Sequence, residues 1–334
     1  VKNRIKKGNF FKDKMVLITG GTGSFGKAFI KEILGDEYGI KRLVIYSRDE
    51  LKQEEMRTMY GFNDTRLRYF IGDVRDIERL KRAMVGIDIV IHAAALKQVP
   101  ACEYNPSEAI STNIIGAENV INAAIDRGVK RVVALSTDKA VNPINLYGAT
   151  KLVAEKLFIQ GNNYSSLNGT RFSCVRYGNV VGSRGSVVPL FKHQKMTGEI
   201  TVTDKEMTRF WITLEQGVKL VINAVELMTG GEIFVPKISS MKIIDLAKLI
   251  APEAKVKVIG IRVGEKLHEV LVSNDEAKYT YDYKDMYVVR PQNLFKELEN
   301  DIWKKSKLMK LKSYSSDNND KWFTKKEMLD MINN

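Results

Sequence analysis

Short apolar runs of strand length recur along the first half of the chain, and each is followed by a longer stretch in which apolar residues return every three or four positions. Residues 15–19 precede 25–34, residues 42–46 precede 50–59, and residues 67–71 precede 77–84. The run 87–92 leads into another helical stretch, and the rhythm continues through a helix at 117–127, a strand at 131–136, a helix at 146–160 and a strand at 172–177. Strands that are apolar throughout, rather than alternating, are buried on both faces, and the intervening helices supply the cover. The pattern predicts an α/β fold, a doubly wound parallel sheet with ligands in the crevice beyond the carboxyl ends of its strands. After Gly178 the rhythm breaks into short elements at 182–188, 199–203 and 230–236, interleaved with helical stretches at 214–228 and 243–250. This part reads as a smaller lobe closing over the crevice. From Tyr283 onward, aromatic, Lys and Asn residues mix without a clear period.

Composition narrows the class. Of 334 residues, 44% are hydrophobic, enough for one large core, and no block is of low complexity. Lys and Arg outnumber Asp and Glu by 53 to 40, a formal charge of +13 that favours anionic partners. Much of the excess lies in Lys2, Arg4, Lys6, Lys7, Lys12 and Lys14 and in Lys304, Lys305, Lys307, Lys310 and Lys312, both read as solvated surface runs. No recognition motif or stacking pattern accompanies them, so nucleic acid is not an expected partner. Cys102 and Cys174 stand in segments without metal-ligand spacing, so neither a disulfide framework nor a metal site is expected, and a reducing cytoplasm fits. The first fourteen residues lack an apolar stretch and no run of about 18 apolar residues occurs, so neither a signal peptide nor a membrane span is expected.

Gly20-Gly21-Thr22-Gly23-Ser24-Phe25-Gly26 follows the first strand directly and opens a helix. Glycines at 20, 23 and 26 let backbone N–H groups approach a pyrophosphate at a helix N-terminus, the fingerprint of dinucleotide binding. Where an NAD site would place a carboxylate after the second strand, this chain has Ser47 and Arg48, with Lys52 a turn on. A hydroxyl and a guanidinium suit a 2′-phosphate, so NADP is the expected cofactor, although Asp49 lies next in sequence. Asp73 and Val74, ending the third strand, are placed to meet the adenine, and Ala93, Ala94 and Ala95 are small enough for a nicotinamide ribose to pass. The isolated His92, His193 and His268 are assigned no chemistry.

Tyr147 and Lys151 are four residues apart, so on a helix both face one side. A lysine charge beside a phenol lowers the cost of phenolate, and Tyr147 then takes a proton from a substrate hydroxyl as hydride leaves for the cofactor. Just upstream, Ser136-Thr137-Asp138-Lys139 occupies a strand end where this fold presents reacting groups. An ordinary surface ion pair is the alternative for Asp138 and Lys139.

These runs carry a resemblance. Thr19 through Gly23, Tyr46 through Gln53 and Ile71 through Asp76 are similar to the extended short-chain dehydrogenase/reductases that remodel nucleotide sugars. His92-Ala93-Ala94-Ala95-Leu96-Lys97, Ser136-Thr137-Asp138-Lys139-Ala140, Asn145-Leu146-Tyr147-Gly148-Ala149-Thr150-Lys151 and Arg176-Tyr177-Gly178-Asn179-Val180 resemble the inverting UDP-N-acetylglucosamine 4,6-dehydratases of the pseudaminic acid pathway. The likeness runs from about residue 15 to about residue 322. It implies an NADP-binding Rossmann domain over 12–178 and a mainly substrate-binding lobe over 179–334, some segments of which return to the sheet. Retaining dehydratases have Asp-Glu where this chain has Asp138-Lys139, the pair of inverting enzymes. Dehydratase-epimerases of the fucosamine route share that pair but typically carry methionine in place of Tyr147.

The resemblance implies that Tyr147 and NADP+ oxidise carbon 4, that a neutral Lys139 removes the carbon 5 proton, and that a protonated Asp138 assists loss of the carbon 6 hydroxyl. Hydride then returns to carbon 6 and carbon 5 is protonated from the opposite face. Thr137 joins Asp138, Lys139, Tyr147 and Lys151 in the catalytic set. Lys97, Asn113, Tyr177, Asn179 and Val180, with Tyr147 and Lys151, complete the cofactor set. Lys97, Lys139, Asn179, Ser186, Val187, Thr203, Arg209, Arg262 and Glu265 form the substrate set. The partner implied is UDP-N-acetylglucosamine, in a homo-oligomer, a dimer or hexamer. A sugar 4-epimerase would share the cofactor loop and Tyr147/Lys151 without needing an acid and a base at 138 and 139. An NADP-binding regulatory protein would commonly lose the tyrosine or lysine.

Overall fold

The structure, a computed structural model, describes residues 9–59, 61–165, 169–182, 187–290, 303 and 306–333. In the first half, strands β1 (Met15–Thr19), β2 (Arg42–Ser47), β3 (Leu67–Ile71), β4 (Ile89–His92), β5 (Arg131–Leu135) and β6 (Arg171–Val175) alternate with helices. These are α1 (Ser24–Ile33), α2 (Glu50–Thr58), α3 (Ile77–Ala83), α4 (Val99–Tyr104), α5 (Pro106–Ile110), α6 (Gly116–Asp126) and α7 (Leu146–Tyr164). Helix starts follow local chemistry: Asp49, Asp76 and Asn145 each accept a backbone N–H at the head of α2, α3 and α7. A π-helical segment, Ser111–Ile115, joins α5 to α6 and faces the crevice through Thr112.

The second half contributes β7 (Asn179–Val180), α8 (Val187–Lys195), β8 (Glu199–Val202), β9 (Thr208–Ile212), α9 (Leu214–Leu227) and β10 (Ile233–Pro236). It continues with β11 (Ser240–Lys242), α10 (Ile243–Ile250), β12 (Lys255–Val258), β13 (Val270–Val272) and α11 (Asn274–Ala277). It ends with β14 (Thr280–Tyr283), β15 (Met286–Val289), β16 (Lys307–Leu308), β17 (Tyr314–Ser315) and α12 (Lys325–Asn333).

The α/β, doubly wound class predicted from the sequence is the class observed. The main sheet runs β16-β14-β15-β10-β6-β5-β4-β1-β2-β3. From β10 to β3 every neighbour is parallel, and β15, β14 and β16 add antiparallel. Chain order reverses between β1 and β4, which opens the crevice at their carboxyl ends, where Gly20 and Ala93 follow. Four strands, β10 and β14 to β16, come from the second half and build onto the sheet. They are only two to four residues long, too short for a period to register in the sequence. One core surrounds the sheet, and a second, smaller one gathers Phe191, Trp211, Leu246 and Met328 between α8, β9, α10 and α12. Among the described residues, no helix is long and apolar enough to cross a membrane.

Candidate active site

One cleft of about 780 Å³ runs along the carboxyl ends of the parallel strands, from Gly20 at the β1 turn to Arg262 and Glu265 in the second lobe. At the dinucleotide end, Gly26 lies so close to the preceding turn that a Cβ there would sit 2.2 Å from the Gly21 carbonyl oxygen. Helix α1 begins on Gly23 with no side-chain cap, leaving its first N–H groups for a ligand. Thr22, Ser24 and Phe25 line the same wall. The Thr22 and Ser47 hydroxyls are hydrogen-bonded at 2.9 Å. Arg48 Nη1 is 3.6 Å from Asp73, and Lys52 pairs with Asp49. Asp49 caps α2 by accepting from the Lys52 N–H at 3.0 Å and lies outside the lining, whereas Ser47, Arg48, Lys52, Asp73 and Val74 are all on it.

The reacting end is built where α7 meets the turn Asp138–Ala140. Gly148 permits this approach, because a Cβ would stand 2.2 Å from the Lys139 carbonyl oxygen. Tyr147 is thereby brought beside Thr137, Asp138 and Lys139. Thr137 Oγ1 donates to Asp138 Oδ1 at 2.9 Å and accepts from the Lys139 N–H at 3.3 Å. Asn145 ties the head of α7 to the second lobe, its Nδ2 donating to the Gly264 carbonyl at 2.8 Å.

Lys139 Nζ is held between two carboxylates, 3.1 Å from Asp138 Oδ1 and 3.3 Å from Glu269 Oε1. Burial by itself would lower its pKa, but the charges of Asp138 and Glu269 outweigh burial and hold the ammonium above its usual range. In this state Lys139 is therefore a cation, not the neutral amine that the resemblance requires. Glu269 is raised by burial and by the nearby Asp138 charge. Tyr147 is pushed up to about 12, by burial first, against the lowering effects of the Lys139 charge and of a hydrogen bond with Thr137. Lys151 is buried and donates to the Leu135 carbonyl at 2.6 Å, so the lysine charge that favours phenolate here comes from Lys139. The Lys151 pKa is lowered by burial.

Most of the predicted residues meet on this cleft: Gly20, Gly23, Ala94, Ala95, Lys97, Tyr177, Asn179, Val180, Val187 and Arg209 line it as well. Two do not. Asn113 lies behind the wall, spending its amide on the Leu96 N–H and carbonyl and on Thr150 Oγ1. Thr203 is turned toward Met207 Sδ at 3.0 Å. Ser186 lies outside the described residues. Arg209 is buried, its Nη1 and Nη2 committed to the carbonyls of Thr208, Leu267 and Lys266. Sequence reasoning missed Glu269, which follows no motif and reaches the site only through folding. Five buried side-chain polar atoms lack a hydrogen-bond partner among the described residues. Four of them belong to lining residues: Thr112 Oγ1, Ser136 Oγ, Asp138 Oδ2 and Glu269 Oε2. Such atoms mark where a ligand's polar groups pair. The glycine turn, the uncapped helix and these atoms together fit a dinucleotide and a polar substrate. No group of His, Cys, Asp and Glu among the described residues is placed to hold a metal.

A dinucleotide-type turn at the switch point, with a tyrosine and the Asp138–Lys139 pair facing it in one cleft, defines an extended short-chain dehydrogenase/reductase. The polysaccharide biosynthesis protein family matches residues 16–291. Over 331 residues, 97% of this chain and 98% of the relative, the sequence is 55% identical to UDP-N-acetylglucosamine 4,6-dehydratase (inverting) of Campylobacter jejuni. A UDP-glucose 4-epimerase of Rickettsia canadensis is 47% identical over 83% of each chain. The X-ray structure of Pen from Bacillus thuringiensis superposes with a TM-score of 0.86 at 40% identity, over 97% of this chain and 99% of that one. DesIV from Streptomyces venezuelae, a dTDP-glucose 4,6-dehydratase solved with NAD bound, shares the fold at TM-score 0.65 and 22% identity, over 75% of this chain and 86% of its own. The chain belongs to the polysaccharide biosynthesis protein family and, within it, stands with the inverting UDP-N-acetylglucosamine 4,6-dehydratases.

Proposed function

We propose that the chain dehydrates UDP-N-acetylglucosamine across carbons 5 and 6 with inversion at carbon 5. The product is UDP-2-acetamido-2,6-dideoxy-β-L-arabino-hexos-4-ulose, supplied to pseudaminic acid biosynthesis in the cytoplasm. The observation that carries this reading is the Asp138–Lys139 pair beside Tyr147 on the glycine-lined cleft, an acid and a base that epimerisation alone does not need. NADP, when bound, would accept hydride from carbon 4 and return it to carbon 6. Ser47, Arg48 and Lys52 would receive its 2′-phosphate, and Asp49, occupied in capping α2, would not compete. Tyr147 takes the carbon 4 hydroxyl proton, Lys139 as an amine takes the carbon 5 proton, and Asp138 gives a proton to the departing carbon 6 hydroxyl. Asp138 Oδ2 makes no hydrogen bond among the described residues and is the oxygen left for the substrate. Lys97, Asn179, Val187, Arg209, Arg262 and Glu265 hold the UDP-sugar. Residues 12–178 serve the cofactor and 179–334 mainly the substrate, in a homo-oligomer.

Incubation with UDP-N-acetylglucosamine in D2O, followed by proton NMR, tests the proposal. A new methyl doublet, deuterium at carbon 5, L-arabino configuration and no net NADPH are expected. A 4-epimer that keeps its carbon 6 hydroxyl would overturn it and favour the epimerase reading, which the Rickettsia relative makes the natural rival.

A further inference from the structure

Two guanidiniums converge on one oxygen at the dinucleotide end of the cleft. Arg75 Nη2 donates to Asp73 Oδ2 at 2.8 Å, and the Arg75 backbone N–H donates to Asp73 Oδ1 at 3.0 Å. Arg48 Nη1 stands 3.6 Å from the same Oδ2, an ion-pair contact beyond hydrogen-bond reach. Burial alone would raise the Asp73 carboxyl, but the Arg75 hydrogen bonds and charge, ahead of the Arg48 charge, hold it below its usual range. Arg75 is therefore the partner that satisfies Asp73. The turn that carries it is fixed without any ligand: the Asp73 carbonyl accepts from Tyr46 Oη at 2.8 Å and from the Asp76 N–H at 3.0 Å, and the Arg75 carbonyl accepts from Asn119 Nδ2 at 3.0 Å. Arg75 Nη1 also reaches Glu108 Oε2 on α5 at 2.9 Å. Arg48 lines the cleft with its side chain 57% exposed, whereas Arg75 lies off the lining.

The inference rests on the NADP reading above, in which Arg48 meets a 2′-phosphate while Asp73 stands beside it. A carboxylate in that position opposes the phosphate twice, by direct repulsion and by holding the guanidinium back. Lys52 nearby is paired with Asp49 instead of Asp73. We propose that Arg75 is a specificity-determining positioning residue: by occupying Asp73 it cancels that negative charge and leaves Arg48 for the 2′-phosphate. Arg75 acts through Asp73 and Arg48 and need not touch the cofactor. NAD carries a hydroxyl in place of the phosphate and gains little from the same arrangement. Arg75 therefore sets the ratio of the two affinities and not their common level.

The test is calorimetric titration of the full chain with NADP and with NAD, at about 0.05 M and about 0.3 M salt. Wild type is compared with Arg75→Met, Arg75→Lys and the double variant Asp73→Asn/Arg75→Met. In Arg75→Met the Kd for NADP rises about tenfold while that for NAD stays within about twofold. The loss shrinks at the higher salt, because the charges involved are partly exposed and are screened. Arg75→Lys recovers most of the NADP affinity, and removal of the carboxylate in the double variant returns the NADP-to-NAD ratio to that of the wild type. A merely structural role for Arg75 would weaken both cofactors alike and leave the ratio unmoved. That result, an unchanged ratio in Arg75→Met, or a double variant no better than Arg75→Met overturns the inference while leaving the NADP reading intact. If Arg75→Met does not fold, the same ratio measured on Arg75→Gln decides. A wild type that binds NAD as tightly as NADP overturns the cofactor reading and the inference together.

Discussion

At the scale of single residues, the site depends on how burial and charge are traded. Tyr147 is pushed up to about 12 mainly by burial, so in the protein without cofactor its phenol remains protonated throughout the neutral range. The expected outcome of an ultraviolet difference titration, wild type against Tyr147→Phe, is one phenol titrating near 12 without cofactor and at lower pH once an oxidised nicotinamide cofactor places a positive ring beside it. Tyr147→Phe itself is expected to lower kcat by about 10²–10⁴, measured as methyl-sugar formation, with nucleotide binding retained. The Tyr147/Lys151 spacing was legible because four residues on a helix define a face. The partner of Lys151 was not, since the Leu135 carbonyl that it meets belongs to β5. Glu269 was illegible for a similar reason: it lies 130 positions from Lys139 in the chain, and nothing near it in sequence hints at the contact.

At the scale of elements, close approach and buried charge decide what can change. The expected outcome of Gly26→Ala is loss of nucleotide binding, because the added Cβ would press on the Gly21 carbonyl and displace the turn at the head of α1. Equilibrium titration with a nicotinamide dinucleotide, monitored by fluorescence or calorimetry, checks this. A second device joins three elements: Arg176, just after β6, donates to Glu155 on α7 at 3.0 and 2.6 Å and to Glu276 on α11 at 3.0 Å. Arg176 and Glu155 are both almost entirely buried. Arg176→Met leaves two carboxylates facing one another in the interior, and unfolding by urea should show a loss of about 3–5 kcal/mol. Helix positions were readable from apolar spacing and from the aspartate and asparagine caps. The joining of α7 to α11 was not readable, because an Arg after a strand carries no sign of which carboxylates it will meet.

At the scale of the molecule, stability is tied to pH through a group that takes no part in the proposed chemistry. His92, at the end of β4, is buried against Thr19 Oγ1 at 2.9 Å, and burial first, then the Lys151 charge, lowers its pKa to about 3. Between the usual histidine value near 6.5 and about 3 the unfolded chain binds a proton that the folded one does not, so the His92 contribution favours unfolding as pH falls through that window. Its slope is about 1.4 kcal/mol per pH unit. The contribution is absent above about 6.5. Denaturant midpoints measured from pH 7 downward should fall less steeply for His92→Gln than for the wild type, after correction for the cost of the substitution at pH 7. The ten-stranded sheet belongs to this scale as well, since strands from both halves of the chain share one ladder.

The doubly wound sheet, the glycine turn and the clustering of Asp138, Lys139 and Tyr147 on one cleft were all legible in the chain, because each is local: hydrophobic period, glycine spacing and helix facing operate within about ten residues. Folding decided three other matters. It brought β10 and β14 to β16 onto the sheet edge and left Asn113 and Thr203 outside the cleft lining. It also set Glu269 against Lys139, so that the expected base rests as an ammonium between two carboxylates. Charge and burial act through space, and at these positions the neighbours that matter are supplied by segments far away along the chain.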